Sequence, residues 1–489
     1  MTECSPTLFS FQPHGRREVS AAFDGGRITS DAGGLLLREV EAKFAFIAQF
    51  ARCFTDHRDS ERIEHSVEEL LRQRIFGLCL GYEDLNDHDQ LRHDPLLALL
   101  VGKPDLLGAH RARCRDRGKA LAGKSTLNRL ELTPVRADAA SRYKKIVAHL
   151  DAMQRFLVEA FVQQHVVPPE RLVLDIDATD LPLHGHQLGR FFHGYYDTYC
   201  YLPLYVFCGD FPLLALLRPA NIDEALGAKK QLARIVGQLR QHWPQVRIVV
   251  RADSGFCREP LLRWCEENGV DYVIGLAKNR RLLAILGAEL HQAQQQFAQT
   301  GQPARVFKDF VYRTRKSWSR ARRVIGKAEH LAAGANPRFI VSSLPAEEVA
   351  AAPLYEREYC GRGAMENRIK EQKLFLYAER VSCATMRANQ IRLCFAAVAY
   401  LILWALRKHG LPQTEQPQAQ CDTIRVRLLK LGAVVRVSVR RVVLALSEAY
   451  PWQALFTQVW ANLRAVILPP RPGAPTGAPP PRAPPAAPA

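Results

Sequence analysis

The stretch RLVLDIDATD, residues 171–180, sets aliphatic residues among three aspartates. Read with the two-residue period of a strand, Leu172, Leu174 and Ile176 share one face, and Val173, Asp175 and Asp177 share the other. Two carboxylates on one face of a central strand are costly unless a cation or a partner compensates them. The segment therefore predicts a buried strand carrying charge to a site, with Asp180 in the loop beyond it. Downstream, YCYLPLYVF (199–207) and FPLLALLRPA (211–220) read as two further strands around a Gly209-Asp210 turn. Asp223 is the expected N-cap of a helix reaching about residue 241. VRIVVRA (246–252), PLLRWCEEN (260–268) and DYVIGLA (271–277) then read as strand, helix and strand. The order β-β-β-α-β-α-β predicts an α/β fold, a mixed sheet flanked by helices.

Two more segments place carboxylates near that sheet. Asp253 follows its strand directly and precedes a Ser-Gly turn, at the kind of strand end where open α/β sheets bind ligands. Taken singly, Asp253 is better read as a turn or helix cap. In EYCGRGAMENRIKEQK (358–373), Tyr359, Arg362, Glu366 and Lys373 stand at offsets that fall within roughly 60° of one another on a helix. That stripe is not a core stripe; a salt-bridged surface face is its plain reading, and Gly361 and Gly363 weaken the helix. The sharper reading is one carboxylate among phosphate-binding side chains. Two sheet carboxylates and one helix carboxylate can hold two Mg²⁺ ions about 4 Å apart for in-line phosphoryl displacement. A ribonuclease-H-like nuclease or strand transferase follows.

Bulk properties agree. The 489 residues are 47% hydrophobic, enough for a large core and several domains. A net charge of +18 favours a polyanionic partner, nucleic acid first. The 12 cysteines form no C-x-x-C pair and the N-terminus lacks a signal peptide's apolar core, so reduced thiols in a cytoplasmic protein are expected. The apolar run 393–406 suits a buried helix better than a membrane span, so no membrane role is expected. Ser66 and Glu69 form a capping-box pattern ahead of LLRQRIFGLCL. VVRVSVRRVV (434–443) alternates like a strand, with Arg436 and Arg440 on one face.

Two motifs invite over-reading. GKALAGKS (118–125) matches the phosphate-loop pattern, but the preceding HRARCRDR cannot be the buried strand such a loop requires, so no nucleotide cofactor is expected. His184 and His186 lack the further ligands of a zinc site.

The spacing of Tyr359, Arg362, Glu366 and Lys373 is that of the Tyr-Arg-Glu-Lys signature of a large group of bacterial DDE transposases, and DIDATD and ADSGF resemble that group's two aspartate motifs. TSDAGGLLLRE, GYEDLNDHDQLRHDP, STLNRLE, HGYYDTYCYLPL and YCGRGAMENRIKE look like the insertion-sequence 1380 family, over nearly the whole chain to about residue 467. The residue pattern reads as a mostly helical N-terminal DNA-binding region (1–170) and a β-rich insertion (280–351), and the resemblance implies a ribonuclease-H-like catalytic domain in two parts (171–279 and 352–410) interrupted by that insertion. A basic C-terminal module (411–467) and a disordered Pro/Ala tail (468–489) complete the division. The resemblance implies Asp177, Asp253 and Glu366 as catalytic metal ligands and two Mg²⁺ ions, with Mn²⁺ able to substitute; Asp175, on the same strand face, is the second choice, read as a group that orients the ligand or as a salt-bridge partner. Tyr359, Arg362 and Lys373 would contact DNA phosphates. The implied reaction is cleavage at the element's terminal inverted repeats and transfer of the 3′-OH ends into target DNA, by a homodimer. In FVYRTRKSWSRARRVIGK (310–327), Arg320, Arg322 and Arg323 are expected on phosphates and Trp318 on an unpaired base; a ribbon whose aromatics merely pack is the alternative. The rival functions are a nuclease without strand transfer and a domesticated DNA-binding protein without catalysis.

Overall fold

The computed structural model describes residues 8–466; the Pro/Ala tail lies outside them. RLVLDIDA forms β1 (Arg171–Ala178), followed by β2 (Leu204–Cys208), β3 (Phe211–Leu216), β4 (Arg247–Ala252) and β5 (Asp271–Leu276). They lie in the order β3-β2-β1-β4-β5. β2 runs antiparallel to both neighbours, and β4 is parallel to β1 and β5. This is the ribonuclease-H-like arrangement, in which the strand motif of residues 171–178 sits at the centre.

Each face of β1 meets what its residues require. Leu172, Leu174 and Ile176 join the main apolar core with Ile248, Val250 and Ile274. On the opposite face Val173 borders a smaller core of Val249, Val273, Ile340, Leu354 and Tyr355, closed by the start of the helical segment that carries Glu366.

The segment 280–351 differs from an independent insertion. It opens with two helices, Arg280–Ile285 and Gly287–Thr300, so the Gln-rich run is helical, as the propensities of Gln and Ala allow. Its strands β6 (Ala304–Tyr312), β7 (Arg322–Leu331), β8 (Gly334–Ala335) and β9 (Arg338–Ser342) then extend the central sheet. β9 pairs antiparallel with β5, satisfying the backbone groups that β5 would leave open, and the sheet reaches nine strands. YCYLPLYVF is also split: Thr198–Tyr201 joins a small sheet with Leu181–Pro182 and Phe191–His193, and only Leu204–Cys208 enters the main one.

The N-terminal helices pack onto the sheet through Met386–Ala405, the apolar run of the sequence, which lies against β3 and the helix Val67–Leu80. It is long and apolar enough to cross a membrane but is almost wholly buried in the protein. The helix Val67–Leu80 carries the capping box: Ser66 Oγ accepts from the Glu69 N–H at 3.2 Å and the Glu69 carboxylate from the Ser66 N–H at 2.9 Å. VVRVSVRRVV is a hairpin, Ala433–Val437 and Val442–Leu446, with a turn where one strand was expected. It pairs with Ile28–Thr29, tying the C-terminal region to the N-terminus.

Two buried imidazoles in this helical layer make stability acid-sensitive. His65 and His88 have pKa values pushed down to about 3, mainly by burial. Their neutral forms contribute stability that is complete above pH 6.5 and is lost as pH falls toward 3. The stability gap between wild type and His88→Gln should narrow by about 1.4 kcal/mol between pH 7.5 and 5.5, read from urea midpoints. A constant gap would show that His88 does not titrate on unfolding.

Candidate active site

The carboxyl ends of β1 and β4 meet the helical segment 351–375. Asp177 lies near the end of β1, its side chain 16% exposed. Asp253 follows β4 and caps a tight turn, its Oδ1 accepting from the Gly255 N–H at 2.9 Å. The helical segment has wide turns over Leu354–Tyr359 and Glu371–Phe375, with regular α-helix over Gly363–Lys370 between them.

One guanidinium joins two of the three elements. Arg362 Nη1 lies 3.4 Å from Asp177 Oδ2 and Arg362 Nη2 lies 3.0 Å from Glu366 Oε1. The Asp177 carboxyl is pushed up to about 7, first by burial; Arg362 opposes the shift, and the charges of Asp253 and Glu366 add to it. Asp177, Asp253 and Glu366 thus share one electrostatic neighbourhood. Tyr359 belongs to it too: its hydroxyl and the Ser254 nitrogen both lie 2.7 Å from where a Cβ on Gly275 would stand.

Lys373 reaches the loop after β1, donating to the Asp180 carbonyl at 2.8 Å and lying 3.3 Å from both Thr179 Oγ1 and Asp180 Oδ1. In this structure it braces that loop, and Asp180 is its partner. Asp175 is buried beside Asp177 in a two-pronged pair with Arg251, at 2.6 and 2.7 Å. Arg251 also donates to the Glu358 carbonyl at 2.6 Å, clamping the helical segment to β1 and β4. Of the two readings of Asp175, a ligand-orienting group or a salt-bridge partner, the contacts match the second. They also explain Gly361, where a Cβ would stand 2.6 Å from Arg251 Nη1.

The basic β-ribbon is placed differently from its expected role. Trp318 is 5% exposed, packed edge-on against Tyr312 and beneath Arg322. Arg322 is itself buried between Glu259 and Glu266, and Arg323 is bound to Asp309 and the Leu344 and Val349 carbonyls. Arg320, though exposed, pairs with Glu266 at 3.3 Å. Trp318, Arg322 and Arg323 hold the sheet extension together, and the packing alternative describes Trp318. Surface aromatics lie instead on the hairpin Phe191–Tyr201, where Phe192 and Tyr195 are exposed. Tyr196 on that hairpin senses the charges of Glu224, Asp180 and Asp177.

Sequence reasoning passed over Glu224. Its Oε2 lies 2.1 Å, and Asp253 Oδ1 3.1 Å, from the same point above Gly255, so the two oxygens are within about 5 Å of each other. Burial and Asp253 both raise its pKa. Asp223, expected to cap a helix, instead accepts from Arg258 and the Ala225 N–H, and the helix begins at Ala228 after Gly227 (φ +82°). The sheet makes Glu224 legible: β3 is parallel to β1, so the loop after it opens at the same sheet edge as Asp253.

The set is all oxygen, from carboxylates under mutual repulsion with one guanidinium between them, and its chemistry suits a hard divalent cation. Among the described residues no three His, Cys, Asp or Glu side chains are already gathered about one point. Arg362 stands between Asp177 and Glu366. His184 and His186 are exposed loop residues, and Lys124 of the phosphate-loop look-alike follows a turn and bonds Asn86.

No curated protein matches this chain. Among solved structures, a piggyBac transposase synaptic complex with hairpin DNA is similar at 12% identity, over 82% of this chain and 80% of that chain, with a TM-score of 0.38. The family described as transposase DDE domain, group 1, matches residues 11–467, nearly all of the sequence, and the chain belongs to that family.

Proposed function

We propose that this transposase, of the insertion-sequence 1380 kind, cleaves DNA at the terminal inverted repeats of its own element and joins the 3′-OH ends to target DNA. The observation that supports this reading most is the Arg362 guanidinium joining Asp177 to Glu366 within the field of Asp253. Asp177, Asp253 and Glu366 would hold the cations, with Glu224 beside Asp253. Bound there, Mg²⁺ (or Mn²⁺) supplies activation of water or a 3′-hydroxyl and stabilises the leaving oxygen. Arg362 keeps the Asp177 and Glu366 carboxylates compensated until cations and DNA arrive, then turns to a phosphate. Tyr359, whose hydroxyl lies beside the Asp253 turn, would meet a DNA phosphate, and Lys373 fixes the loop beyond β1. A homodimer acting on two ends in the bacterial cytoplasm completes the proposal.

The test incubates the full chain with duplexes carrying the element's flanking inverted repeats and Mg²⁺. Nicks at the repeat ends followed by joined products are expected. Cleavage without joining would favour a plain nuclease, and binding without Mg²⁺-dependent cleavage would favour a domesticated DNA-binding protein. Glu224→Gln should lower cleavage by roughly 10-fold or more at limiting Mg²⁺ and less at saturating Mg²⁺, as expected of an outer ligand partner.

A further inference from the structure

A cavity of about 710 Å³ opens in the N-terminal helical layer, between residues 58–65, Arg92, 111–129 and 142–145. Ten arginine and lysine side chains line it against three carboxylates. Each carboxylate has its own arginine: Asp59 pairs with Arg62, Glu64 with Arg111 and Asp116 with Arg115. Arg58 is bound to Asp56. Lys119 and Lys145 donate to the Arg115 and Ala139 carbonyls, which leaves their charge uncancelled. Arg113, Arg129 and Arg142 form no ion pair among the described residues.

Cations gathered without anions repel one another. Arg129 shows this: burial lowers its pKa, and Arg58 and Arg113 lower it further. The arrangement costs free energy unless an anion from outside occupies the cavity. Arg113, Arg142 and Tyr143 are exposed on it, with Arg142 4.9 Å from the centre of the Tyr143 ring. The helix Lys124–Leu132 starts at the same cavity through Gly123, Ser125 and Thr126, its first N–H donating to the Asp89 carboxylate at 3.2 Å.

We infer that this cavity is a second DNA-binding site, which grips the phosphate backbone of duplex DNA away from the scissile bond. The inference rests on the transposase reading for its choice of duplex DNA. The volume and the spread of the cations over four chain segments suit several successive phosphates better than one small anion. The site uses the residues around GKALAGKS for anion binding without a phosphate loop: the field comes from arginines on neighbouring segments and not from a strand-borne loop.

The experiment measures binding of the full chain to an inverted-repeat duplex, as a function of salt, without Mg²⁺. Arg113→Ala/Arg142→Ala changes two exposed side chains and should leave the melting temperature unaltered. It should weaken binding at least about 10-fold at 0.1 M salt and flatten the salt dependence by about 0.9 per lost phosphate contact. Adding Arg129→Ala should extend both effects. Asp253→Ala, which disables the proposed catalysis, should bind like the wild type, so failure of the active-site assignment and failure of this site separate cleanly. Unchanged affinity and salt slope in the double variant would overturn the inference. So would equal losses on a same-length RNA duplex that wild type binds as tightly, which would reassign the site to RNA. Protection of wild type, but not the variant, by millimolar pyrophosphate with unaltered DNA binding would reduce it to a small-anion site.

Discussion

Asp177→Asn is expected to lower Mg²⁺-dependent DNA cleavage by ~10³-fold or more while making the metal-free protein harder to unfold above pH 7. The two effects share a cause. The Asp177 carboxyl is buried, and its pKa rises from 3.8 to about 7, first through desolvation, with Asp253 and Glu366 adding to Arg362's incomplete compensation. A carboxyl whose folded pKa is raised contributes its stability at low pH and loses it as pH climbs through 4 to 7. At pH 8 the ionised group is therefore a burden, and an amide of the same shape removes it. Allowing for the Arg362 contact that is also lost, the gain should be about 2 kcal/mol at pH 8 and close to zero at pH 4. Mg²⁺ should raise the melting temperature of the wild type and not of the variant, because only the former gains a ligand on binding. Melting curves at the two pH values, with and without Mg²⁺, beside a nicking assay, check all of this. A variant that cleaves normally removes Asp177 from the site; one destabilised at pH 8 shows that the ion pair with Arg362 outweighs the burial.

The sequence was legible where chemistry and periodicity coincide. Alternating aliphatics in 171–178 placed β1, and the two-residue step that put Asp175 with Asp177 was right about the face. It could not say which carboxylate was already neutralised, because Arg251 is 76 residues away in sequence and meets Asp175 only through parallel pairing of β1 and β4. The Tyr-Arg-Glu-Lys stripe faced the strand ends although wide turns alter its helical phase; Lys373, within the second of them, reaches the β1 loop. The basic ribbon was misread for a related reason. Charge count along a segment says nothing of the carboxylates on Glu259 and Glu266, which draw Arg322 inward and bury Trp318 with it. Glu224 was missed because its meaning depends on the direction of β3, which only the sheet reveals.

The second large effect is expected from a residue with no reactive atom. Gly275 lies on β5, where glycine merely weakens a strand by propensity. A Cβ there would stand 2.7 Å from the Ser254 nitrogen, 2.7 Å from the Tyr359 hydroxyl and 3.0 Å from the Asp253 carbonyl carbon. Two of these neighbours are backbone and cannot swing aside, so Gly275→Ala must shift the turn that aims Asp253. Overpacking of this kind costs about 1–3 kcal/mol of stability. Displacing a ligand by a fraction of an ångström to 1 Å costs about 10²-fold in rate. Cleavage should fall far more than stability accounts for, with duplex affinity unchanged, since the basic cavity lies in another layer. Tyr359→Phe in the Gly275→Ala background removes one close contact and leaves the backbone ones, so it should restore little activity. Gly237→Ala is the control: it sits in the helix Ala228–His242 with nothing within 4 Å of its Cβ position, and the change there should be neutral or slightly stabilising. Full rescue by the Tyr359 change would place the strain on the side chain alone and show that the Asp253 turn tolerates a methyl group against it.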